Sequence, residues 1–97
     1  GPLRLLVLGG SQGARVINQV TVDALAALPA AQRPRVLHQA GERHYDDCLA
    51  SYTAAGIDTG IDTGNDTGGD IQLRPFIDDM AAAYAWADLV LCRAGAL

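Results

Sequence analysis

Apolar residues in the first thirty positions follow two different spacings in succession. Residues 3–8 form a nearly continuous apolar run ending at Gly9-Gly10, a pattern typical of a strand buried on both faces of a parallel sheet. From Ala14 the apolar positions recur every three or four residues until Pro29, which predicts a helix of about four turns. The apolar face of this helix consists of Val16, Ile17, Val20, Ala24, Leu25 and Leu28.

Three later apolar stretches predict further strands. They cover residues 35–39, 71–74 and 89–92, and the last is expected to be buried. Strands that alternate with helices imply right-handed crossovers and parallel pairing. The sequence therefore predicts an α/β fold with a doubly wound parallel sheet in the order 3-2-1-4, in which strand one is internal.

Two more helices are predicted between these strands. One covers residues 43–55 and is capped by Gly56, and the other begins at Asp78 or Asp79. The aromatic residues of the second helix are expected to cover the sheet as core residues, and they are Tyr84 and Trp86.

Residues 57–70 form a low-complexity tract with three copies of Asp-Thr-Gly, starting at Asp58, Asp62 and Asp66. Aspartic proteases use this triplet, but they require two carboxylates in one rigid site, which tandem copies in a glycine-rich tract do not provide. The four-residue spacing matches neither the EF-hand loop nor the calcium-binding β-roll. The tract is predicted to be a flexible surface loop.

Composition limits the classes of function. Ninety-seven residues, 49% of them hydrophobic and 19% charged, predict one small globular domain over residues 1–97. A net charge of −4 argues against binding to nucleic acid or to anionic lipid, and the absence of lysine excludes a P-loop lysine and Schiff-base chemistry within these residues. Cys48 and Cys92 are expected to be reduced core residues, and neither a metal site nor a cofactor is predicted. Because the only methionine is Met80, the chain is expected to be part of a longer protein.

The glycine turn after strand one carries the main chemical signal. Residues 9–14, Gly-Gly-Ser-Gln-Gly-Ala, lie between a buried strand and a helix, where unpaired backbone N–H groups and the positive end of the helix dipole favour an anion. Glycine lets the backbone approach a phosphate closely, and the Ser11 hydroxyl offers a further hydrogen bond. The turn departs from the dinucleotide fingerprint at Ser11 and Ala14, and no acidic residue ends strand two, which disfavours NAD.

The same turn also matches the nucleophile elbow of serine hydrolases, Gly-x-Ser-x-Gly, with Ser11 as the nucleophile. That function requires an aspartate and then a histidine later in the chain. The histidines are His38 and His44, and the aspartate between Ser11 and His38 is Asp23, inside the first helix. The required order is not met, and the hydrolase remains only an alternative.

Two other strand ends are predicted to lie at the same edge of the sheet as the turn. His38 and Gln39 end strand two, where the histidine either faces a ligand cleft or has a structural role. The loop after strand three, residues 76–80, could grip a flat base with its backbone, or could be a plain connection with an aspartate cap.

Taken together, these segments closely resemble the MurG family of glycosyltransferases, which make lipid II in peptidoglycan synthesis. The resemblance rests on three stretches of the chain, which are Leu-Val-Leu-Gly-Gly-Ser-Gln-Gly-Ala-Arg over 6–15, His-Gln-Ala-Gly over 38–41, and 76–88 continuing into Cys-Arg-Ala-Gly-Ala-Leu over 92–97. The resemblance implies the Rossmann-like, donor-binding C-terminal domain of a GT-B enzyme, which inverts the anomeric centre without a metal.

The resemblance also implies roles for individual residues toward UDP-N-acetylglucosamine. Ser11 with its neighbours Gln12, Gly13 and Ala14 would hold the phosphates. Ile77 would bond the uracil through its backbone with Met80 beside it, and Ala96 and Leu97 would begin the loop around the sugar nucleotide.

No residue of this chain is expected to be catalytic. In the family, the acceptor, lipid I, is bound by an N-terminal domain that also supplies the catalytic base and docks on the cytoplasmic face of the inner membrane. That domain is absent here, so the chain alone is expected to be inactive. A noncatalytic nucleotide-binding module remains the second alternative, and self-association through the open sheet edge is left open.

Overall fold

The computed structural model describes residues 3–9, 14–59 and 71–92. In chain order these residues form β1 (Arg4–Leu8), α1 (Ala14–Ala27), a short 3₁₀ turn (Ala30–Gln32), β2 (Arg35–Gln39), α2 (Tyr45–Ala54), β3 (Ile71–Arg74), α3 (Met80–Trp86) and β4 (Leu89–Cys92). The four strands form one parallel sheet in the order β3-β2-β1-β4. The predicted fold class and strand order are confirmed.

Helices pack on both faces of this sheet because alternate residues of each strand face opposite sides. In β1, Val7 belongs to a core cluster with residues of α1 and α2, such as Val22 and Tyr52. Leu6 belongs to a second, smaller cluster with Ala83 of α3. Leu6 and Val7 are both fully buried, as expected for a strand covered on each face.

The buried face of α1 agrees only in part with the predicted one. Val16 and Val20 are 62% and 55% exposed, whereas Asn18, Thr21, Val22 and Leu25 are buried. The prediction was right for Leu25 and for the partly buried Ile17, and wrong for Val16 and Val20. The buried face is turned toward Asn18 because the Asn18 side chain bonds His38 and the Ala40 carbonyl.

The prediction that β4 is buried is also wrong. Its residues Leu89, Val90 and Leu91 are 54%, 41% and 39% exposed, and Cys92 is likewise exposed although Cys48 is buried. The strand lies at the edge of the sheet, and helices α1 and α3 pack over β1 rather than over β4.

Local signals fixed the ends of two helices. Gly56, at φ +75°, follows α2 and donates its N–H to the Thr53 carbonyl, while Ile57 donates to the Tyr52 carbonyl, which together form a Schellman motif. Asp79, rather than Asp78, caps α3 because its Oδ1 accepts from the Ala82 N–H at 3.0 Å. Helix α2 begins at Tyr45, later than predicted, because residues 42–44 form a turn.

Two further predictions concern the long tract and the aromatic residues. Ile57 packs in the larger core cluster and Thr59 is buried, so the tract begins as ordered chain. Residues 60–70 lie outside the described residues. Tyr84 is 52% exposed, against the prediction of a core aromatic, because α3 turns Ala83 toward the sheet instead, and Trp86 is half-buried.

Candidate functional site

The carboxyl ends of β1, β2 and β3 are joined side by side by backbone hydrogen bonds. Gly9 donates its N–H to the Gln39 carbonyl at 2.7 Å, and Ala40 donates to the Arg74 carbonyl at 2.9 Å. Gly41, at φ +89°, donates to the Pro75 carbonyl at 3.1 Å. The loops that leave the three strands therefore start from one connected edge, which is the usual position of a ligand in a doubly wound sheet.

Position 9 has no room for a side chain. A Cβ added there would lie 2.6 Å from the Asn18 Oδ1 and 3.2 Å from the Gln39 carbonyl oxygen. The backbone of β1 thus approaches α1 closely just before the glycine turn. This contact gives the first glycine a steric requirement that is independent of any ligand.

The glycine turn itself lies largely outside the described residues, which exclude Ser11, Gln12 and Gly13. Helix α1 begins at Ala14, immediately after them. The turn therefore precedes the helix N-terminus, where the orphan N–H groups and the dipole favour an anion. Ala96 and Leu97 also lie outside the described residues.

Between α1, α2 and β2, three buried polar side chains form a hydrogen-bonded relay. The Tyr52 hydroxyl lies 2.6 Å from His38 Nδ1, and His38 Nε2 lies 2.7 Å from Asn18 Oδ1. Asn18 in turn donates its Nδ2 to the Ala40 carbonyl at 3.1 Å. Because Asn18 Oδ1 can only accept, His38 carries its proton on Nε2 and accepts the Tyr52 hydroxyl proton on Nδ1.

Burial keeps the relay uncharged. His38 is fully buried, and burial lowers the pKa of its imidazole to about 4. Burial raises the pKa of the Cys48 thiol to about 12 and also raises the pKa of Tyr52. His38, Tyr52 and the neighbouring Cys48 are therefore neutral near pH 7, so the relay holds α1 and α2 against β2 without a buried charge.

The relay decides between the two roles considered for His38. Both ring nitrogens are engaged, one by Tyr52 and one by Asn18, so His38 has a structural role and does not face a cleft. His38 has no free nitrogen with which to act as a general base toward Ser11, since Nδ1 is occupied by Tyr52 and Nε2 by Asn18, and the Cys48 Sγ also lies 4.0 Å from Nε2. This finding weighs against the serine hydrolase alternative.

The loop between β3 and α3 forms the second half of the edge. The Ile77 N–H donates to the Gln39 Oε1 at 2.9 Å, and the Ile77 side chain is buried with Leu6 and Ala83. Met80 is half-buried against the same cluster. The bond to Gln39 and the burial of the Ile77 side chain together fix the backbone of Ile77. Met80 packs against the same cluster at the start of α3.

An open cavity of about 340 Å³ lies beside this loop. It lies on the α3 side of the sheet, and its size is within the usual range for small-molecule sites. Phe76, 59% exposed, and the half-buried Trp86 offer aromatic surface to a flat ligand. The residues that line the cavity are Leu37, Arg74, Phe76, Ile77, Asp78, Asp79, Ala82, Ala83 and Trp86.

A second open cavity, of about 360 Å³, lies between α1 and α2. Arg15, in the first turn of α1, and His44, just before α2, are among its lining residues, and Ser51 bonds Gln19 across it at 3.2 Å. Across residues 3–9, 14–59 and 71–92, no three His, Cys, Asp or Glu side chains come together as a potential metal site.

Sequence reasoning missed the connecting roles of Asn18, Tyr52 and Gln39. Asn18 and Tyr52 were hidden because a polar residue in a helix is normally assigned to its exposed face.

Comparison with known proteins gives a consistent result. Residues 4–97 match the model of the glycosyltransferase family 28 C-terminal domain. The chain is 54% identical to a protein of Nitrosococcus oceani and 55% identical to one of Burkholderia multivorans, across its full length. Each of these is named UDP-N-acetylglucosamine--N-acetylmuramyl-(pentapeptide) pyrophosphoryl-undecaprenol N-acetylglucosamine transferase.

The chain spans 24% of the length of those two relatives. Among solved structures it is similar to Acinetobacter baumannii MurG, with a TM-score of 0.70 and 36% identity over 98% of this chain and 25% of that one. The resemblance drawn from the sequence motifs is confirmed. The chain belongs to the glycosyltransferase family 28 C-terminal domain family.

Proposed function

We propose that this chain binds UDP-N-acetylglucosamine as the donor half of an inverting glycosyltransferase that converts lipid I to lipid II. The observation that carries the proposal is the connected edge of the sheet. There the start of the glycine turn and the loop that holds Ile77 are both bonded to Gln39. A nucleoside diphosphate sugar is a ligand that needs an anion site and a base site at a fixed separation.

The phosphate end of the donor is assigned to the turn before α1. Ser11, Gln12 and Gly13, with the backbone of Ala14, are proposed to hold the diphosphate through N–H groups and the Ser11 hydroxyl. The net charge of −4 and the lack of lysine fit a site that binds anions through backbone dipoles rather than through ammonium groups.

The uracil is assigned to the backbone of Ile77, with Met80 beside it. Because the Ile77 N–H already donates to Gln39, the Ile77 carbonyl is the group best placed to accept the N3–H of the base. Ala96 and Leu97 are proposed to begin the loop that encloses the sugar nucleotide.

The rest of the reaction is assigned to other parts of a longer protein. Those parts would bind the lipid-linked acceptor, supply the catalytic base and hold the protein on the cytoplasmic face of the membrane. None of the described helices is both long and apolar enough to cross a bilayer. No residue of this chain is proposed to be catalytic, so the chain alone should bind the donor without turning it over.

Binding can be tested by titrating the ¹⁵N-labelled chain with UDP and following the amide signals of Ser11, Gly13 and Ile77. Saturable shifts at all three are expected, and Ser11→Ala should weaken binding about 3- to 10-fold because it removes one hydrogen bond to the phosphates. Ser51→Ala, on α2, is the matched control and should bind as the unchanged chain does. Silence at these three amides with excess UDP would contradict the proposal.

Two further assays separate the alternatives. Labelling of Ser11 by a fluorophosphonate would favour the hydrolase, whereas no labelling is expected. A full-length protein containing this domain should transfer N-acetylglucosamine to a lipid-linked acceptor. Binding of UDP without any transfer in that assay would instead indicate a noncatalytic nucleotide-binding module.

A further inference from the structure

Gln39, the last residue of β2, bonds the loops on either side of it by two different atoms. Its backbone carbonyl accepts the Gly9 N–H at 2.7 Å, and its side-chain Oε1 accepts the Ile77 N–H at 2.9 Å. Strand β2 lies between β1 and β3, and Gln39 pairs in register with Leu8 on one side and Arg74 on the other. A single residue therefore spans the distance between the two halves of the edge.

The two bonds differ in what they require of the side chain. The bond to Gly9 uses only backbone atoms, so it survives any substitution at position 39. The bond to Ile77 needs an acceptor at the end of a side chain of this length. The Ile77 backbone is otherwise held by the burial of its own side chain, which is 6% exposed. Backbone bonds from Ala40 and Gly41 hold Arg74 and Pro75, and the carboxamide of Gln39 extends this connection to Ile77.

We propose that Gln39 is a positioning residue that holds the base-binding loop at Ile77 in a fixed place relative to Gly9, the residue that leads into the glycine turn. This inference rests on the proposed function, since it assumes that one nucleotide reaches both loops. A nucleotide that binds to both loops loses a hydrogen bond when one loop shifts relative to the other, because such bonds weaken steeply with distance and angle. Gln39 would therefore act on the affinity for nucleotide without touching the reacting atoms.

The test compares three variants of the chain. Gln39→Met keeps the length of the side chain and removes its acceptor, and Gln39→Glu keeps an acceptor oxygen at the same reach. Gln72→Met is the matched control, because Gln72 lies on the neighbouring strand and, within the described residues, its Oε1 accepts from the exposed Arg74 Nη2 at 3.1 Å rather than from a loop. In the ligand-free chain, the Ile77 amide should exchange faster in Gln39→Met than in the other two variants.

Binding is then measured with uridine, which is neutral and reaches only the base-binding loop, and with UDP, which reaches both loops. Gln39→Met should weaken UDP binding about 3- to 10-fold, the effect of one hydrogen bond. Gln39→Glu adds a negative charge that acts directly on UDP, so this variant is tested with uridine, which is neutral. It should bind uridine as tightly as the unchanged chain does. Gln72→Met should leave both affinities unchanged.

A kinetic measurement separates positioning from a general loss of stability. In a full-length transferase containing this domain, Gln39→Met should raise the KM for UDP-N-acetylglucosamine and leave kcat within about twofold, because only donor binding is affected. Should Gln39→Met fail to fold, Gln39→Ala serves as the second variant without an acceptor.

The outcomes are distinct. The positioning role is overturned if the Ile77 amide exchanges faster in Gln39→Met while the variant binds UDP as tightly as the unchanged chain, or more tightly. A fall in kcat with unchanged KM also overturns it. If the unchanged chain binds neither UDP nor uridine, the proposed function itself fails.

Discussion

Acid should destabilise this domain through His38 in particular. The pKa of the buried imidazole is lowered to about 4 from an ordinary value near 6.5, because burial penalises the charged form. Between these two pH values the unfolded chain binds a proton that the folded chain does not, so the free energy of unfolding rises with pH there. The contribution of His38 is fully present above pH 6.5 and is lost as the pH falls toward 4.

The size of this effect follows from the shift. One proton corresponds to about 1.4 kcal/mol per pH unit, so the loss between pH 7 and pH 4 is about 3 kcal/mol. That is a large part of the total stability expected of a small domain. The relay gives the physical reason, since a protonated His38 would have to donate from both nitrogens while remaining fully buried.

Urea unfolding of the chain under reducing conditions at pH 7, 5.5 and 4.5 measures this loss. His38→Gln removes the titrating group and should show a weaker dependence on pH than the unchanged chain, although it is less stable at pH 7. His44→Gln, which alters the other histidine outside the relay, should follow the unchanged chain. If the unchanged chain and His38→Gln lose stability in parallel as the pH falls, the reasoning about His38 is refuted.

Three other changes test the fold and its open edge. Gly9→Ala should cost about 1–3 kcal/mol of unfolding free energy, because its Cβ would press on the Asn18 Oδ1 and the Gln39 carbonyl, and an unchanged urea midpoint would contradict that contact. Asp79→Ala should cost about 1 kcal/mol through loss of the α3 cap, and Asp78→Ala, its control, should cost less than about half of that. The exposed apolar residues of β4 should make the chain self-associate, and Leu91→Lys should lower its mass in sedimentation experiments; a monomer before and after the change would argue against association through this strand.

The hydrophobic pattern predicted the strands because β1 is a nearly continuous apolar run, and β2, β3 and β4 are short stretches with apolar residues between the helices. The bounds of β2, β3 and β4 and the order of all four strands agree with the structure. The Gly56 cap was equally clear, since a left-handed residue after a helix favours glycine. The strand bounds and the cap depend on local sequence alone, whereas the strand order followed from the crossovers of a doubly wound sheet.

The errors arose where burial depends on contacts between distant segments. Asn18 is buried because its carboxamide meets His38, twenty positions away, and no local pattern reports such a partner. The exposure of Leu89 and Val90 follows from the position of β4 at the edge of the sheet. In the candidate site, the motifs located both loops, but the Gln39 bond that connects them became visible only in three dimensions.

The pairing of β1 also has a consequence for the order of folding. On one side of β1, Leu5 pairs with Val36 of β2, 31 positions later. On the other side, it pairs with Leu89 of β4, 84 positions later. Closing the longer loop costs about 0.9 kcal/mol more in chain entropy, and the strand it delivers buries less apolar surface in return. Asp88, just before that strand, exchanges hydrogen bonds with Arg4: its N–H donates to the Arg4 carbonyl, and its carboxylate accepts the Arg4 N–H. The unit of β1, β2 and β3 with its helices should therefore form first, and β4 should join last and open first, detectable as the fastest amide exchange within the sheet.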